Sequence, residues 1–256
     1  MSNTASSAPP SGLNYVSHFL SLDEYVWKAR KRPVLLAMLP AAFAAGAWLP
    51  TLNWWQMLPF GVLCLLLGLC GDLGRIGGKA EEEKLFTRWG GKPTTRMLRH
   101  RDSPFDEQKL KLLHEQLGAI TGSKAPTKSQ EEKRPDEADK IYEGYATFLR
   151  NATRDAKKFR FVRMELINYG FARNCWGLRR LGIGVLIVVA RLVWLWQHQT
   201  TLASAGMPLV LGVFTLFLFG FWAFVVRENW VRDVAEAYAN RLLEAASVLQ
   251  QKDNSP

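Results

Sequence analysis

Four apolar blocks alternate with charged segments along this chain, and that alternation restricts the fold more than any other feature. They cover residues 33–49, 54–70, 181–196 and 207–226. A membrane-spanning helix needs roughly 20 predominantly apolar residues, with about 17 as the lower bound. The fourth block meets that length outright, and the other three draw on their flanks or on a locally thinned bilayer. Blocks one, two and four carry no polar stripe of the kind a soluble helix keeps toward water. Trp48, Trp54, Trp55, Trp194 and Trp196 stand at block ends, where an indole ring sits half in hydrocarbon with its N–H in the wet headgroup layer.

Charge placement orients the blocks. Lys28, Arg30, Lys31 and Arg32 precede the first, and residues 72–180 hold 24 Lys+Arg against 16 Asp+Glu. The connections at 50–53 and 197–206 carry no charge, whereas the tail after Val226 opens with Arg227 and Arg232. Lys and Arg accumulate on the cytoplasmic side. The expectation is an all-α membrane protein with four transmembrane helices in two hairpins and a cytoplasmic helical insert. It sits in a bacterial inner (cytoplasmic) membrane, multi-pass, with N- and C-termini inside. A cleavable signal peptide fits poorly, because 32 residues precede the first block and a second apolar block follows at once.

The expected organisation has five parts. Residues 1–32 form a cytoplasmic N-terminus whose Leu13, Val16, Phe19 and Leu20 suit an interfacial helix, with a capping pair at Ser21 and Glu24. Residues 33–71 are transmembrane hairpin 1, and 72–180 a basic cytoplasmic insert. Transmembrane hairpin 2 covers 181–226 and a cytoplasmic C-terminal helix 227–256. Within the insert, 79–89 reads as a helix with acids in its first turn and a stop at Gly90–Gly91. Ser103–Pro104 reads as the start of a second helix, with Leu110, Leu113, Leu117 and Ile120 on one face. Residues 121–135 read as a polar linker. A third helix, about 136–154, places Ile141, Tyr145, Phe148 and Ala152 together. The tail repeats Val231, Val234, Tyr238, Leu242, Ala245 and Leu249 at heptad spacing, suited to packing on the insert or on another subunit.

The net charge of +10 and pI near 9.7 favour an anionic partner, and the segment 90–102, GGKPTTRMLRHRD, concentrates that charge. Thr94 or Thr95 suits the cap of a helix, and Lys92, Arg96, Arg99, His100 and Arg101 surround its start. Cations around unpaired helix N–H groups favour phosphate or carboxylate, so Lys92, Thr94, Thr95, Arg96, Arg99 and Arg101 form the candidate anion site. A plain reading sets the same cations against anionic lipid heads. A second patch, Asn168, Tyr169, Gly170 and Arg173, stands just before block three as a candidate hinge. Arg191 is the one charge inside a block, within reach of the outer headgroups.

Recognisable chemistry is sparse. Gly77–Gly78–Lys79 lacks the earlier glycine and the Ser/Thr of a phosphate-binding loop. The four histidines are scattered, the three cysteines lack metal spacing, and no nucleophile elbow occurs. The reading is a protein with no catalytic residues, no metal site and no cofactor. Its partners are the bilayer, a cytoplasmic protein or a second copy of itself (a homo-oligomer), and an anionic ligand, with nothing that singles out nucleic acid. The expected role is a non-enzymatic inner-membrane protein whose insert binds a partner or anion, as effector or scaffold. The alternative is a channel or transporter subunit, with Gly61, Gly68, Gly182 and Gly212 at helix contacts.

Two segments, Trp89–Gly90–Gly91–Lys92–Pro93–Thr94–Thr95 and Asn168–Tyr169–Gly170–Phe171, resemble those of an uncharacterised group of bacterial multi-pass inner-membrane proteins. The resemblance runs from about Leu13 to Trp176. It implies a membrane setting and proximity of the two segments, and it carries no catalytic residue and no ligand.

Overall fold

The computed structural model describes residues 24–48, 71–199 and 206–253. Expectations for the N-terminal interfacial segment, for block two with Cys64, Cys70, Gly61 and Gly68, for the connection 50–53 and for residues 200–205 of the second connection lie outside those residues. The described chain is all-helical, with no strand. A π-helical stretch Val26–Lys31 leads directly into α1, Arg32–Trp48. There follow α2, Gly71–Arg88; α3, Pro93–Leu98; α4, Glu107–Thr121; α5, Lys128–Lys133; and α6, Pro135–Ala152. The 40-residue α7 spans Arg160–Gln199; α8 covers Gly206–Gly220 and ends in a π-helical turn Phe221–Val225; α9 spans Glu228–Asp253.

The axis is α7, whose 40 residues extend roughly 60 Å at 1.5 Å per residue. Its first half enters the insert and its second half is apolar block three. Along the second half, α1 and α8 pack through Val34, Ala37, Leu178, Leu186, Leu218 and Trp222, and then through Ala44, Val189, Val193 and Leu211. The outer face of this layer is bare hydrocarbon. Leu209, Val210, Val213, Leu216 and Phe217 are 62–73 % exposed, and Ile187, Val188 and Phe43 are also exposed. Among the described residues no single helix is long and apolar enough to cross a membrane. The stretch 209–225 passes the test only together with 228–251, bent from it by 65°.

That bend separates the tail from block four. The π-turn and Val226 interrupt the helical ladder, and α9 leaves in a new direction. Carbonyls freed at the break find a cation: Arg179 of α7 donates to Trp222 O at 3.2 Å and to Ala223 O at 3.4 Å, as suits a helix C-terminus. Gly182 sits beneath the Trp222 ring, where a Cβ would fall 2.7 Å from its atoms, whereas a Cβ at Gly212 would meet nothing within 4 Å among the described residues.

Redirected in this way, α9 lies across the insert. Val231 and Ala235 meet Leu85 of α2, the following Trp89, and Tyr169 and Ala172 of α7. Further along, Ala239, Leu242, Leu243 and Ala246 close a core with Met97, Leu98, Leu113, Leu117, Tyr142, Tyr145 and Leu149. The heptad face of the tail is therefore spent on the insert.

Local boundaries shift where capping decides them. Helix α2 starts at Gly71, so Glu81–Glu83 fall in its middle, yet it stops at Gly90 (φ 78°) and Gly91 (φ 137°) as the glycine pair demands. Helix α4 begins at Glu107, not at Ser103–Pro104, because Asp106 accepts from Lys109 N at 2.7 Å. Ser103 instead accepts from Phe105 N and donates to Met97 O. On α6 the buried face is Ala138, Tyr142, Tyr145, Ala146 and Leu149, while Phe148 is exposed. The linker 121–135 is not featureless: Thr127 and Gln130 form a capping box that starts α5.

Candidate functional site

The segment 89–102 is wedged between α9 and α6, and its cations meet carboxylates of the same chain. Pro93 occupies the first turn of α3, so the cap position falls on Lys92, with no side-chain cap. Thr94 and Thr95 thus lie inside the helix and are buried, and Thr95 Oγ1 has no hydrogen-bond partner. Lys92 pairs with Glu143 at 2.8 Å, and Arg96 donates to Glu236 of α9. Trp89 Nε1 donates to Glu228 at 3.0 Å.

Arg99 is the centre of the wedge. Only 6 % exposed, it grips Asp139 with a fork, Nε to Oδ1 at 2.8 Å and Nη2 to Oδ2 at 2.6 Å. Its Nη1 donates to Gly90 O at 2.7 Å and to Asp102 at 3.2 Å. A guanidinium has five N–H donors, and these four bonds engage nearly all of them. Arg101 is half exposed and lies 3.8–3.9 Å from Glu131, Asp102 and Asp139. The six residues expected to receive an anion are brought together, but as a clamp that ties α3 to α6 and α9.

Glu131 is the residue that sequence reasoning missed. It lies on α5, within the expected linker, and is 2 % exposed. Its carboxylate accepts from His100 N at 2.8 Å, Arg101 N at 3.4 Å and the Tyr142 hydroxyl at 2.9 Å. Those donors replace the water it loses. The capping box at Thr127 was the available signal, since it marks a helix where composition alone reads as linker. Burial first, and then the Glu131 carboxylate, push the Tyr142 phenol well above its ordinary range.

Beside this acid stand two imidazoles. His114 stacks on Tyr142 with centroids 5.6 Å apart and meets the edge of His100 at 5.0 Å. His114 Nε2–H donates to Leu98 O at 2.8 Å, and His100 Nε2–H donates to Pro126 O at 3.1 Å. Burial lowers the His114 pKa, against the opposing pull of the Leu98 carbonyl. Among the described residues no group of His, Cys, Asp and Glu is arranged to hold a metal.

Both imidazoles line an open cleft of about 900 Å³ between α4 and the 122–128 connection. Phe105, Leu110, Ala119, Ala125 and Pro126 make it apolar, and Lys111, Lys124 and Lys128 stand at it with Glu107 and Glu115. Lys124 and Lys128 carry no carboxylate partner among the described residues, while Lys111 reaches Glu115 only at 4.0 Å.

The second expected patch lies at the crossing of α7 with α2 and with the stretch before α1. Helix α7 passes through Asn168, Tyr169, Gly170 and Arg173 without a break. Tyr169 donates to Glu82, and Arg173 Nη1 donates to both Glu82 oxygens at 3.2 and 3.3 Å. Asn168 reaches Glu165 at 3.3 Å. Gly170 admits Tyr25 and Ala29, and a Cβ there would fall 2.9 Å from the Ala29 Cβ. Next to them, wholly buried Asn174 donates to Ala29 O at 2.7 Å. Gly177 faces Gly77 and Gly78 so closely that a Cβ would lie 2.4 Å from Gly78 N. The double glycine, which lacks the pattern of a phosphate loop, is a helix crossing. Trp89 and Tyr169 belong to one apolar cluster. Arg191 is exposed on α7, its guanidinium 4.3 Å from the centroid of the Trp194 ring, an arrangement that favours a cation.

No family model, no curated protein and no solved structure matches the chain.

Proposed function

We propose that this chain is a multi-pass inner-membrane protein with four spans and both termini inside, and that its insert is a non-enzymatic binding module for a cytoplasmic partner. The observation that carries the reading is the division along α7. Below about residue 180 the helix packs into a polar domain with a closed core, leaving only Phe161 and Met164 as large exposed apolar side chains on it, and beyond it α7 and α8 expose a continuous run of aliphatic and aromatic side chains. Exposed apolar surface on that scale needs a cover, and lipid is the cover that matches the tryptophans and the charge asymmetry. One continuous helix then holds the binding module rigidly at the membrane face.

The cleft beside His100 and His114 is where we place the partner. Its apolar lining and unpaired lysines suit a short segment with acidic and apolar residues from a cytoplasmic protein. The clamp residues 92–101 hold the module together, since their charges are met within the chain.

Two measurements test this. Alkaline washing of membranes should leave the chain in the pellet, and a phosphatase fused at residue 130 should be inactive; release without detergent, or an active fusion, would refute the membrane reading. A photo-crosslinking residue at Ala119 or Lys124 should capture one defined protein, and Ala119→Trp, which fills the cleft, should abolish capture with unchanged melting. Equal capture from a crosslinker at Lys140, an exposed position outside the cleft lining, would refute the cleft as the docking site.

A further inference from the structure

A smaller groove runs between the stretch preceding α1 and the face of α7 beside it. Glu24, Lys28 and Arg32 form one wall at successive turns, and Met164, Ile167, Asn168 and Phe171 form the other. Its volume is about 350 Å³, near the lower end of ligand clefts, which run from about 300 to 1,000 Å³. That admits a headgroup with the start of a chain and little more. One wall is polar and cationic, and the other is apolar except for Asn168.

The charged groups of the described residues around it can be named. Glu24 pairs with Lys28 at 2.5 Å and also feels Arg163 and Arg160 of α7. Arg163 and Arg30 both lie over the Tyr25 ring, at 5.3 and 5.5 Å. Glu165 receives the Asn168 amide. Arg32 has no carboxylate partner among the described residues. Among the described residues Lys28, Arg32 and Arg160 stand against Glu24 and Glu165, which leaves the wall at Arg32 electropositive. Its position is as informative as its charge. Arg32 immediately precedes the first apolar block, and Val34 and Leu178 already approach Gly74 within the layer of α1 and α7. The cationic wall therefore stands one to two turns on the cytoplasmic side of the hydrocarbon.

We infer that this groove binds one anionic glycerophospholipid of the inner leaflet, its phosphate between Lys28 and Arg32 and its glycerol end against Ile167 and Phe171. The inference rests on the membrane reading given above. Lys28, held by Glu24 through one of its three N–H donors, has donors left for phosphate, and Arg32 offers a planar fork suited to phosphate oxygens. Asn168 lies where it can bond a headgroup hydroxyl. A bound lipid would cross-link α1 to α7 at the level where the insert meets the membrane.

The full chain, purified in detergent and delipidated, is melted with added phosphatidylglycerol or with phosphatidylcholine of the same acyl chains. Native mass spectrometry counts the lipids retained. Phosphatidylglycerol should raise the melting point and phosphatidylcholine should not, with one lipid held at least tenfold more tightly than the rest. The pair Lys28→Gln with Arg32→Gln should lose that preference, and Lys28→Arg with Arg32→Lys should keep it. Arg75→Gln with Lys79→Gln removes cations of the neighbouring α2 and should change nothing. Equal loss in both Gln pairs would overturn the inference in favour of a diffuse basic belt. Stabilisation by soluble glycerol phosphate alone would assign the groove to a free anion. A chain that stays in washed membranes yet shows no lipid preference sinks this inference only, whereas a chain released from them sinks the membrane reading.

Discussion

Removing the Arg99 guanidinium tests whether segment 89–102 is a structural clamp or an open anion site. In Arg99→Ala, Asp139 loses both members of its fork and Gly90 O and Asp102 each lose a donor. Breaking a buried ion pair from one side costs about 3–5 kcal/mol. Asp139 retains 26 % exposure of its side chain and Asp102 39 %, so water re-solvates part of what is lost. We expect a cost of about 3 kcal/mol, at the lower end of that range. Arg99→Lys keeps the charge, loses the fork, and should cost about 1–2 kcal/mol. The insert is near the size at which 1 kcal/mol moves the melting point by about 4–8 °C, so Arg99→Ala should lower it by more than 10 °C. Trp89, which packs on α9 beside the clamp, reports the transition by fluorescence, and proteolysis at 121–128 reports it independently. Asp139→Ala should cost less than the sum when combined with Arg99→Ala. The loss should be the same without phosphate or any other added anion. An Arg99→Ala protein that melts within a degree or two of the parent, or loses stability only when anion is present, would refute the clamp.

Three further outcomes follow from the same geometry. His114 is held neutral by burial, so its folded pKa lies below 6.5 while the unfolded chain takes up its proton near that value. Stability should be level above about pH 6.5 and fall as pH drops below it, and His114→Gln should flatten that fall in a pH series of melting curves. Gly177→Ala drives a Cβ into the Gly77–Gly78 backbone and should cost about 1–3 kcal/mol or more; Gly184→Ala, with open space around it, should be neutral or mildly stabilising in the same assay, and equal effects would refute the close crossing. Thr95→Val removes a buried hydroxyl that has no partner and should leave stability unchanged or raise it by up to about 1–3 kcal/mol; a clear loss of melting temperature would mean that the hydroxyl is bonded.

Features that a few neighbouring residues decide were legible from the chain alone. The glycine pair ends α2 because a left-handed residue is needed there, and the stripe Leu110–Leu113–Leu117 is buried because its spacing puts it on one face of α4. The apolar runs and the bare connections are equally local. The tail's heptad face was also readable, although spacing left open whether it met the insert or another copy.

What no local pattern encodes is which charge meets which. Arg99 finds Asp139 forty positions away, Arg96 finds Glu236 on the last helix, and Glu131 is buried by donors from the turn after α3 and from α6. A cation-rich stretch looks the same in sequence whether its partners are ligand phosphates or the chain's own carboxylates, because Coulomb attraction depends on spatial distance. The same holds for Gly77, Gly78 and Gly177, whose small size matters only where α2 and α7 cross. Sequence determined the longer helices and the division between apolar and charged parts; only tertiary structure decided which face of α6 is buried, that α5 lies within the polar linker, that the basic segment is a clamp and that the open cleft lies beside it.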